Sequence, residues 1–239
     1  MKNENSIFNC AQDLLSDLNG ICVEDMQKRP ILFIAHSTGG LLVKNVITQS
    51  QGGRDLGVVA ARLRGVIFLG TPHRWDGLDS KAISSLINRL GSIGQSLPKQ
   101  PNLEHSKRIL RSVTTSFSEF IRVKGDNVIL WSFFEEAPMP GIGLVVDKFT
   151  AEPNDPRYQM QSLPATHANM PKVVSNEDEG YQRLLIAIKQ ACIPVPSQVI
   201  LPESDDKSSE NSRSDTPTNI EDTMASSNKQ PAKKDILIL

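Results

Sequence analysis

The sequence contains few cysteines, few aromatic residues and no long apolar run. Its three cysteines, Cys10, Cys22 and Cys192, are widely spaced and odd in number, which argues against a disulfide framework and suits a reducing compartment. No apolar run approaches the ~20 residues that span a bilayer, and the first residues carry no signal-peptide core. The sequence therefore predicts a soluble, intracellular, cytoplasmic chain.

Neither sign of charge is in excess. The 26 Lys and Arg side chains nearly balance the 27 Asp and Glu side chains, and the formal net charge is −1. The basic residues are scattered along the chain, so they form no stripe that would attract a phosphate backbone. We therefore expect no nucleic-acid partner.

Length and composition together predict one folded domain and a tail. At 239 residues with 38% hydrophobic content, the chain can hold a domain of roughly 150 to 200 residues. Beyond about Pro194 no aromatic residue occurs and polar residues dominate. We expect a domain over 1–193 and a disordered polar tail over 194–239. The apolar residues 236–239 predict either an adhesive terminal peptide or the first strand of a further element.

Apolar periodicity predicts helices that alternate with buried strands. Residues 7–26 have helical spacing, and the continuous apolar run 31–34 is typical of a parallel strand covered on both faces. A helix to about residue 50 and strands over 66–69 and 127–134 follow. Further helices are predicted over 82–90, 104–122 and 180–191, and a short fourth strand over 142–146. This order predicts an α/β fold with a mostly parallel sheet flanked by helices.

The junction between the first strand and the next helix is typical of a nucleophile elbow. The strand leads into Ala35-His36-Ser37-Thr38-Gly39-Gly40, where a helix begins. A serine held on such a tight turn, at a helix N-terminus and beside a base, is a nucleophile. The turn brings the residues two before and two after the serine together, so Ala35 and Gly39 are expected to be small by necessity. In the alternative interpretation, Ser37 simply begins a helix.

A serine nucleophile needs a base and an acid, which follow in the order serine, acid, histidine in folds of this class. Among the four histidines, His167 lies in a loop after the last predicted strand, so it is the expected base. Three carboxylates compete for the acid, because Glu135 and Glu136 end the third strand and Asp147 ends the fourth. We predict Glu135, with Asp147 as the alternative.

The other histidines are expected to have different roles. His36 adjoins the nucleophile and His73 follows the second strand, and both are predicted to be wall residues of the cleft. His105 is predicted to lie on a solvated helix face. The stripe formed by Phe117, Phe120 and Ile121 is more typical of a core than of an acyl pocket.

Four segments in order carry a family resemblance: Arg29–Lys44, Phe68–Arg74, Ser132–Glu135 and His167–Lys172. Together they resemble the α/β-hydrolase domain of serine-active-site-containing (SERAC-type) lipase-like proteins. A similar domain lies at the N-terminus of many fungal receptor-like proteins that carry NACHT or ankyrin regions. The resemblance covers about residues 7–192.

By this resemblance, Ser37 is the nucleophile, His167 the base and Glu135 the acid, and no metal or cofactor takes part. The family is described as lipases or esterases, and its SERAC-type members are associated with phospholipid remodelling at mitochondria and endoplasmic reticulum. The resemblance thus implies a lipid or small ester substrate and a membrane-associated location. The sequence departs from the family at Ala35, which replaces a glycine, and at Trp75-Asp76, where the family tends to have glycine.

The family's elbow strand is about the fifth of eight, and an earlier loop completes its oxyanion hole. This sequence opens just before the elbow strand, which leaves the N–H of Thr38 as the obvious oxyanion donor; loss of one donor costs about 100- to 1000-fold in turnover. We expect an N-terminally truncated hydrolase domain with an open apolar edge at Ile31–Ile34 that invites association. The alternative function is a catalytically impaired hydrolase-fold module that serves signalling or recruitment in a larger receptor-like protein.

Overall fold

A parallel sheet forms the centre of the fold. The computed structural model describes residues 6–24, 29–51, 57–74, 103–124, 127–172, 175–193 and 237–238. The sheet has the order β4-β3-β2-β1-β5, and every neighbouring pair is parallel. Its strands are β1 (Ile31–His36), β2 (Leu63–Leu69), β3 (Ile129–Glu135), β4 (Tyr158–Leu163) and the two-residue β5 (Leu237–Ile238).

Helices cover both faces of the sheet. The helices are α1 (Ser6–Glu24), α2 (Gly39–Gln49), α3 (Gly57–Arg62), α4 (Leu103–Lys124), α5 (Lys148–Ala151) and α6 (Glu179–Cys192), with a 3₁₀ turn at His167–Asn169. The predicted α/β class, with a parallel sheet flanked by helices, is confirmed. None of the helices in the described part of the chain is long and apolar enough to cross a bilayer.

Alternation along the strands explains why their sequences are continuously apolar. In β1, Phe33 and Ala35 point into a core shared with α1, α2 and α4, whereas Leu32 and Ile34 point into a core shared with α6. Both faces of a parallel strand are buried in this way, so neither face can be polar. The stripe formed by Phe117, Phe120 and Ile121 on α4 belongs to the first of these cores.

Two predicted elements need correction. Residues 142–146 do not form a strand; Met139 and Gly143 make an isolated bridge, and the buried Val145 and Val146 follow in a loop. Their apolar character reflects burial against Leu41 rather than strand pairing. The fourth strand of the sheet is β4, which the sequence pattern does not predict because its burial is partial and irregular.

Some predictions fall outside the described residues. The helix predicted over 82–90, the departure at Trp75-Asp76 and the side chain of His105 belong to this group. Most of the predicted tail does too. Its exception is β5, which pairs with Phe33 and Ile34 of β1, so this part of the edge predicted to be open carries a neighbouring strand.

The topology brings four strand ends to one place. Because all strands are parallel, the residues that follow β1, β2, β3 and β4 meet at the same edge of the sheet. In α/β folds this carboxyl edge is where ligands bind. Ser37 follows β1, Gly70 follows β2, Glu135 ends β3 and His167 comes shortly after β4.

Candidate active site

Ser37 occupies a strained turn between β1 and α2. Its φ is 55°, a left-handed conformation that side chains other than glycine rarely adopt. Two contacts from the end of β2 fix the turn: the Ser37 N–H donates to the Leu69 carbonyl at 2.8 Å, and Thr71 Oγ1 donates to the Ser37 carbonyl at 2.9 Å. The serine is thus held out of the regular strand and helix, in the conformation that the predicted elbow requires.

The small residue required by this turn is Gly40 rather than Gly39. A Cβ added at Gly40 would lie 2.2 Å from Thr71 Oγ1 and 2.8 Å from Phe68 Cδ1, whereas one at Gly39 would meet nothing within 4 Å. The expectation that Gly39 must be small is therefore wrong. The tight contact arises between α2 and the end of β2, a packing that the sequence of the turn alone does not show.

His167 faces the serine. Its Nε2 lies 2.9 Å from Ser37 Oγ, and the side chain is fully buried. The histidine is placed there by the 3₁₀ turn that follows β4, in which the Thr166 carbonyl accepts the N–H groups of Asn169 and Met170. The structure thus brings together the two residues that the sequence predicted as nucleophile and base.

Glu135 lies behind the histidine. Its Oε2 is 3.7 Å from His167 Nδ1, an ion-pair distance longer than a hydrogen bond, and both side chains are buried. Its Oε1 accepts the backbone N–H groups of Val145 and Val146. The loop that the sequence pattern suggested as a strand therefore orients this carboxylate.

The competing carboxylates are engaged elsewhere. Asp147 is exposed and caps α5, where its Oδ1 accepts the Thr150 N–H at 2.8 Å. Glu136 is exposed and pairs with Arg183 at 3.3 Å. Of the three candidates for the acid, the structure places Glu135 next to the imidazole.

Burial governs the protonation of the histidine. Desolvation, with a smaller contribution from His36, lowers the pKa of His167 to about 4. The imidazole is neutral near pH 7, and its Nε2 can accept the proton of Ser37 Oγ while Nδ1 carries a proton towards Glu135. This is the protonation state that a general base needs.

Gly70 and His36 confine His167; the sequence does not assign Gly70 to the site, and it predicts His36 only as a wall residue of the cleft. A Cβ added at Gly70, whose φ is +58°, would lie 2.9 Å from Cε1 and 3.0 Å from Nδ1 of the His167 ring. His36 Nε2 donates to the His167 carbonyl at 2.8 Å, and the two rings lie 4.9 Å apart. His36 is therefore more than a wall residue. In the sequence, Gly70 could be recognised as a site residue by its position directly after a buried strand. No sequence feature marks His36 apart from its position next to Ser37.

Thr38 follows the serine at the N-cap of α2. Backbone N–H groups in the first turn of a helix have no carbonyl partner within the helix, and they carry partial positive charge. The Thr38 N–H is therefore suited to a developing oxyanion.

Within the residues that the structure describes, no group of three or more His, Cys, Asp or Glu side chains could hold a metal ion.

Comparison with known proteins identifies relatives at low identity. No protein-family model matches the chain. Protein SERAC1 of Bos taurus is 26% identical over 185 residues, which cover 76% of this chain and 26% of that protein. Protein SERAC1 of Homo sapiens is 26% identical over 184 residues with the same coverage, and that of Mus musculus is 28% identical over 128 residues, 54% of this chain and 18% of that protein.

The aligned region covers most of this chain but only part of those proteins. The chain spans about a quarter of the length of the bovine and human relatives, at 26% of each. The two relatives that align over 76% of this chain are 26% identical to it, and the relative that is 28% identical aligns over 54% of it. Over 76% of its length, this chain is similar to Protein SERAC1.

Proposed function

We propose that this chain is a serine hydrolase that cleaves carboxylic esters, with lipid esters as the substrate class, through an acyl-enzyme. The observation that carries the proposal is the hydrogen bond of 2.9 Å between Ser37 Oγ and His167 Nε2, with Glu135 at 3.7 Å behind the imidazole. A nucleophile, a base and an orienting carboxylate in this order are the requirements of acyl transfer.

Each residue has a defined role in the proposed reaction. Ser37 Oγ attacks the ester carbonyl carbon while His167 Nε2 takes the serine proton, and the Thr38 N–H donates to the resulting oxyanion. His167 then returns the proton to the departing alkoxide, which leaves as an alcohol. Water attacks the acyl-enzyme, again giving its proton to His167, and the acid is released as Ser37 recovers its proton. Glu135 keeps the imidazole oriented and stabilises its charged form.

The elbow conformation supports this assignment over the interpretation of Ser37 as an ordinary helix start. A left-handed φ costs a residue other than glycine about 1 to 2 kcal/mol, and a helix can begin without it. Backbone strain of this kind concentrates at functional sites. The neutral state of the buried His167 imidazole adds a second, independent support.

Hydrolysis of p-nitrophenyl esters of increasing acyl length tests the proposal and its substrate class. We expect turnover that is abolished in Ser37→Ala and in His167→Ala, and a higher kcat/KM for octanoate and longer acyl groups than for acetate. Hydrolysis that favours acetate would contradict the lipid class. If the folded chain hydrolyses no ester, the enzyme proposal fails and the impaired signalling or recruitment module is favoured instead.

A further inference from the structure

Lys44 carries a buried amine that the proposed ester hydrolysis does not use. It lies on α2 and is only 1% exposed. Its Nζ is 5.5 Å from the ring centroid of Phe68 and 5.7 Å from that of Phe117. Within the described residues, its one hydrogen-bond contact is with His73 Nδ1, at 2.8 Å. An apolar side chain of this length would fill the site without the cost of burying an amine, so packing alone does not explain a lysine here.

The His73 imidazole takes part in this contact in its neutral form. Burial, with a smaller contribution from the charge of Lys44, lowers the pKa of His73 well below 6.5. A lysine ammonium has donors only, so Nδ1 accepts and Nε2 carries the ring proton. A neutral amine retains N–H groups that make the same contact. The ring also makes T-shaped contacts with Phe68 and Tyr158, at centroid distances of 4.7 Å and 5.6 Å, so it is fixed between α2 and the sheet.

The segment 70–74, which follows β2, contacts the nucleophile and the base of the proposed triad. Thr71 is fully buried, and its Oγ1 donates to the Ser37 carbonyl at 2.9 Å. Gly70 approaches His167 so closely that an added Cβ would lie 2.9 Å from Cε1 of the ring. A shift of this segment would therefore change the distance between Ser37 Oγ and His167 Nε2.

His73 anchors the other end of this segment. Its N–H donates to the Thr150 carbonyl at 2.8 Å, and the N–H of Arg74 donates to the same carbonyl at 3.0 Å. Thr150 belongs to α5, which closely follows the loop whose N–H groups hold Glu135. Through His73, α2 is thus connected to the segments that support the whole proposed triad.

We propose that the buried contact between Lys44 and His73 positions segment 70–74, and that the pair thereby holds Ser37 and His167 at hydrogen-bond distance. The inference rests on the proposed function, because it gives the pair a role in the same reaction. Both are positioning residues, which act on turnover rather than on substrate binding. Buried polar groups that cost stability can be retained because they specify one arrangement of the fold.

A variant that replaces both partners by apolar groups separates positioning from stability. Lys44→Met combined with His73→Phe removes the contact and leaves neither partner's polar atom buried alone, so the chain should be at least as stable as the wild type. With p-nitrophenyl octanoate, we expect kcat to fall about 10-fold and KM to change by less than about twofold, because misplacement of a catalytic group by about 1 Å can cost on the order of 100-fold. A pair that only stabilised the fold would leave kcat of this variant unchanged.

The single variants and a control on the same helix complete the series. Each single variant should lose about as much kcat as the double variant, because either change breaks the same contact. Thr48→Val removes a hydroxyl that donates to the carbonyls of Lys44 and Asn45 within α2, at 3.0 Å each. Its kcat should stay within about twofold of the wild type.

Nuclear magnetic resonance of the chain labelled with ¹⁵N-histidine measures the positioning without relying on activity. The probe is the Nε2 signal of His167, identified by its loss in His167→Ala. We expect this signal to move in the double variant and in Lys44→Met, because the contact with Ser37 changes, and to stay in place in Thr48→Val. Lys44→Met decides the question if the double variant does not fold.

The outcomes separate this inference from the proposed function. If the wild type hydrolyses no ester, the proposed function fails, whereas a shifted His167 signal in the variants still supports positioning by the pair. The inference is overturned if the His167 signal stays at its wild-type position in both variants, whatever their kcat. It is also overturned if an active double variant keeps the wild-type kcat, or if Thr48→Val moves the signal as far.

Discussion

Replacing Gly70 with alanine should displace the proposed catalytic base. The new Cβ would lie 2.9 Å from His167 Cε1 and 2.9 Å from Met170 Sδ, whereas ordinary carbon contacts are about 3.5 to 4.0 Å. Met170 can move its flexible end, but the imidazole is confined between Gly70, Ser37 and Glu135. The ring must therefore shift by roughly half an ångström or more, away from the position that gives the contact with Ser37.

The expected loss of stability in Gly70→Ala is the sum of two free-energy costs. The left-handed φ of +58° costs alanine about 1 to 2 kcal/mol relative to glycine, and the overlap adds about 1 kcal/mol or more. We expect the free energy of unfolding to fall by about 2 to 3 kcal/mol. Misplacement of a catalytic group by about 1 Å can cost on the order of 100-fold, so kcat/KM should fall about 10- to 100-fold.

Gly20→Ala is the matched control. Gly20 lies on an exposed part of α1, and a Cβ there meets nothing within 4 Å. The same substitution should therefore stabilise the chain by about 0.5 to 1 kcal/mol and leave activity unchanged. Denaturant unfolding and ester hydrolysis, both measured well below the midpoint of thermal unfolding, give the two quantities. A Gly70→Ala variant with wild-type kcat/KM would refute the claim that this contact holds the imidazole.

Three further predictions concern the acid of the proposed triad and the protonation of His167 and Lys44. Glu135→Gln should reduce turnover about 10³- to 10⁴-fold because the imidazole loses its orienting charge. Asp147→Asn keeps a helix cap, so its turnover should stay near that of the wild type. Measured kcat values of the two variants test this, and an unchanged kcat in Glu135→Gln would overturn the choice of Glu135 as the acid. Because burial lowers the pKa of His167 to about 4, the rate should rise with pH between about 3 and 5 and stay flat to about pH 8; a rise centred near 6.5 would show an imidazole of ordinary pKa. Burial lowers the pKa of Lys44 from 10.5 to about 7, so the unfolded chain binds more protons between these values and stability should rise with pH by about 1 kcal/mol per unit. Lys44→Met should remove that rise in denaturant unfolding, and an identical slope in both proteins would contradict the lowered pKa of the buried Lys44 amine.

The sequence predicted the sheet because burial on both faces leaves a simple pattern. Continuous apolar runs such as Ile31–Ile34 are typical of covered parallel strands, and the structure has a strand there. Strand β4 lacks such a run, since Gln159, Gln161 and Ser162 interrupt its apolar residues and are at most partly buried. The buried loop residues Val145 and Val146 have the opposite character, so periodicity assigned the strand to the wrong segment.

The candidate site was predictable as far as chain order and residue chemistry allow. Their places after predicted strands indicate Ser37, His167 and Glu135, and the structure brings these three residues together. The support around them was not predictable, because it depends on contacts between distant segments. The approach of Gly70 to the His167 ring joins residues almost a hundred positions apart. The two backbone N–H groups that orient Glu135 come from a loop whose fold is known only from the structure.

Labelling with a fluorophosphonate probe shows whether Ser37 is an activated nucleophile, because the probe forms a covalent bond with an activated serine and needs no knowledge of the natural substrate. After tryptic digestion, mass spectrometry identifies the modified residue. We expect stoichiometric modification of Ser37 in the native chain, and none in His167→Ala, whose serine has lost its base. A native chain that keeps its fold by circular dichroism and yet remains unmodified at Ser37 would show that Ser37 is not an activated nucleophile.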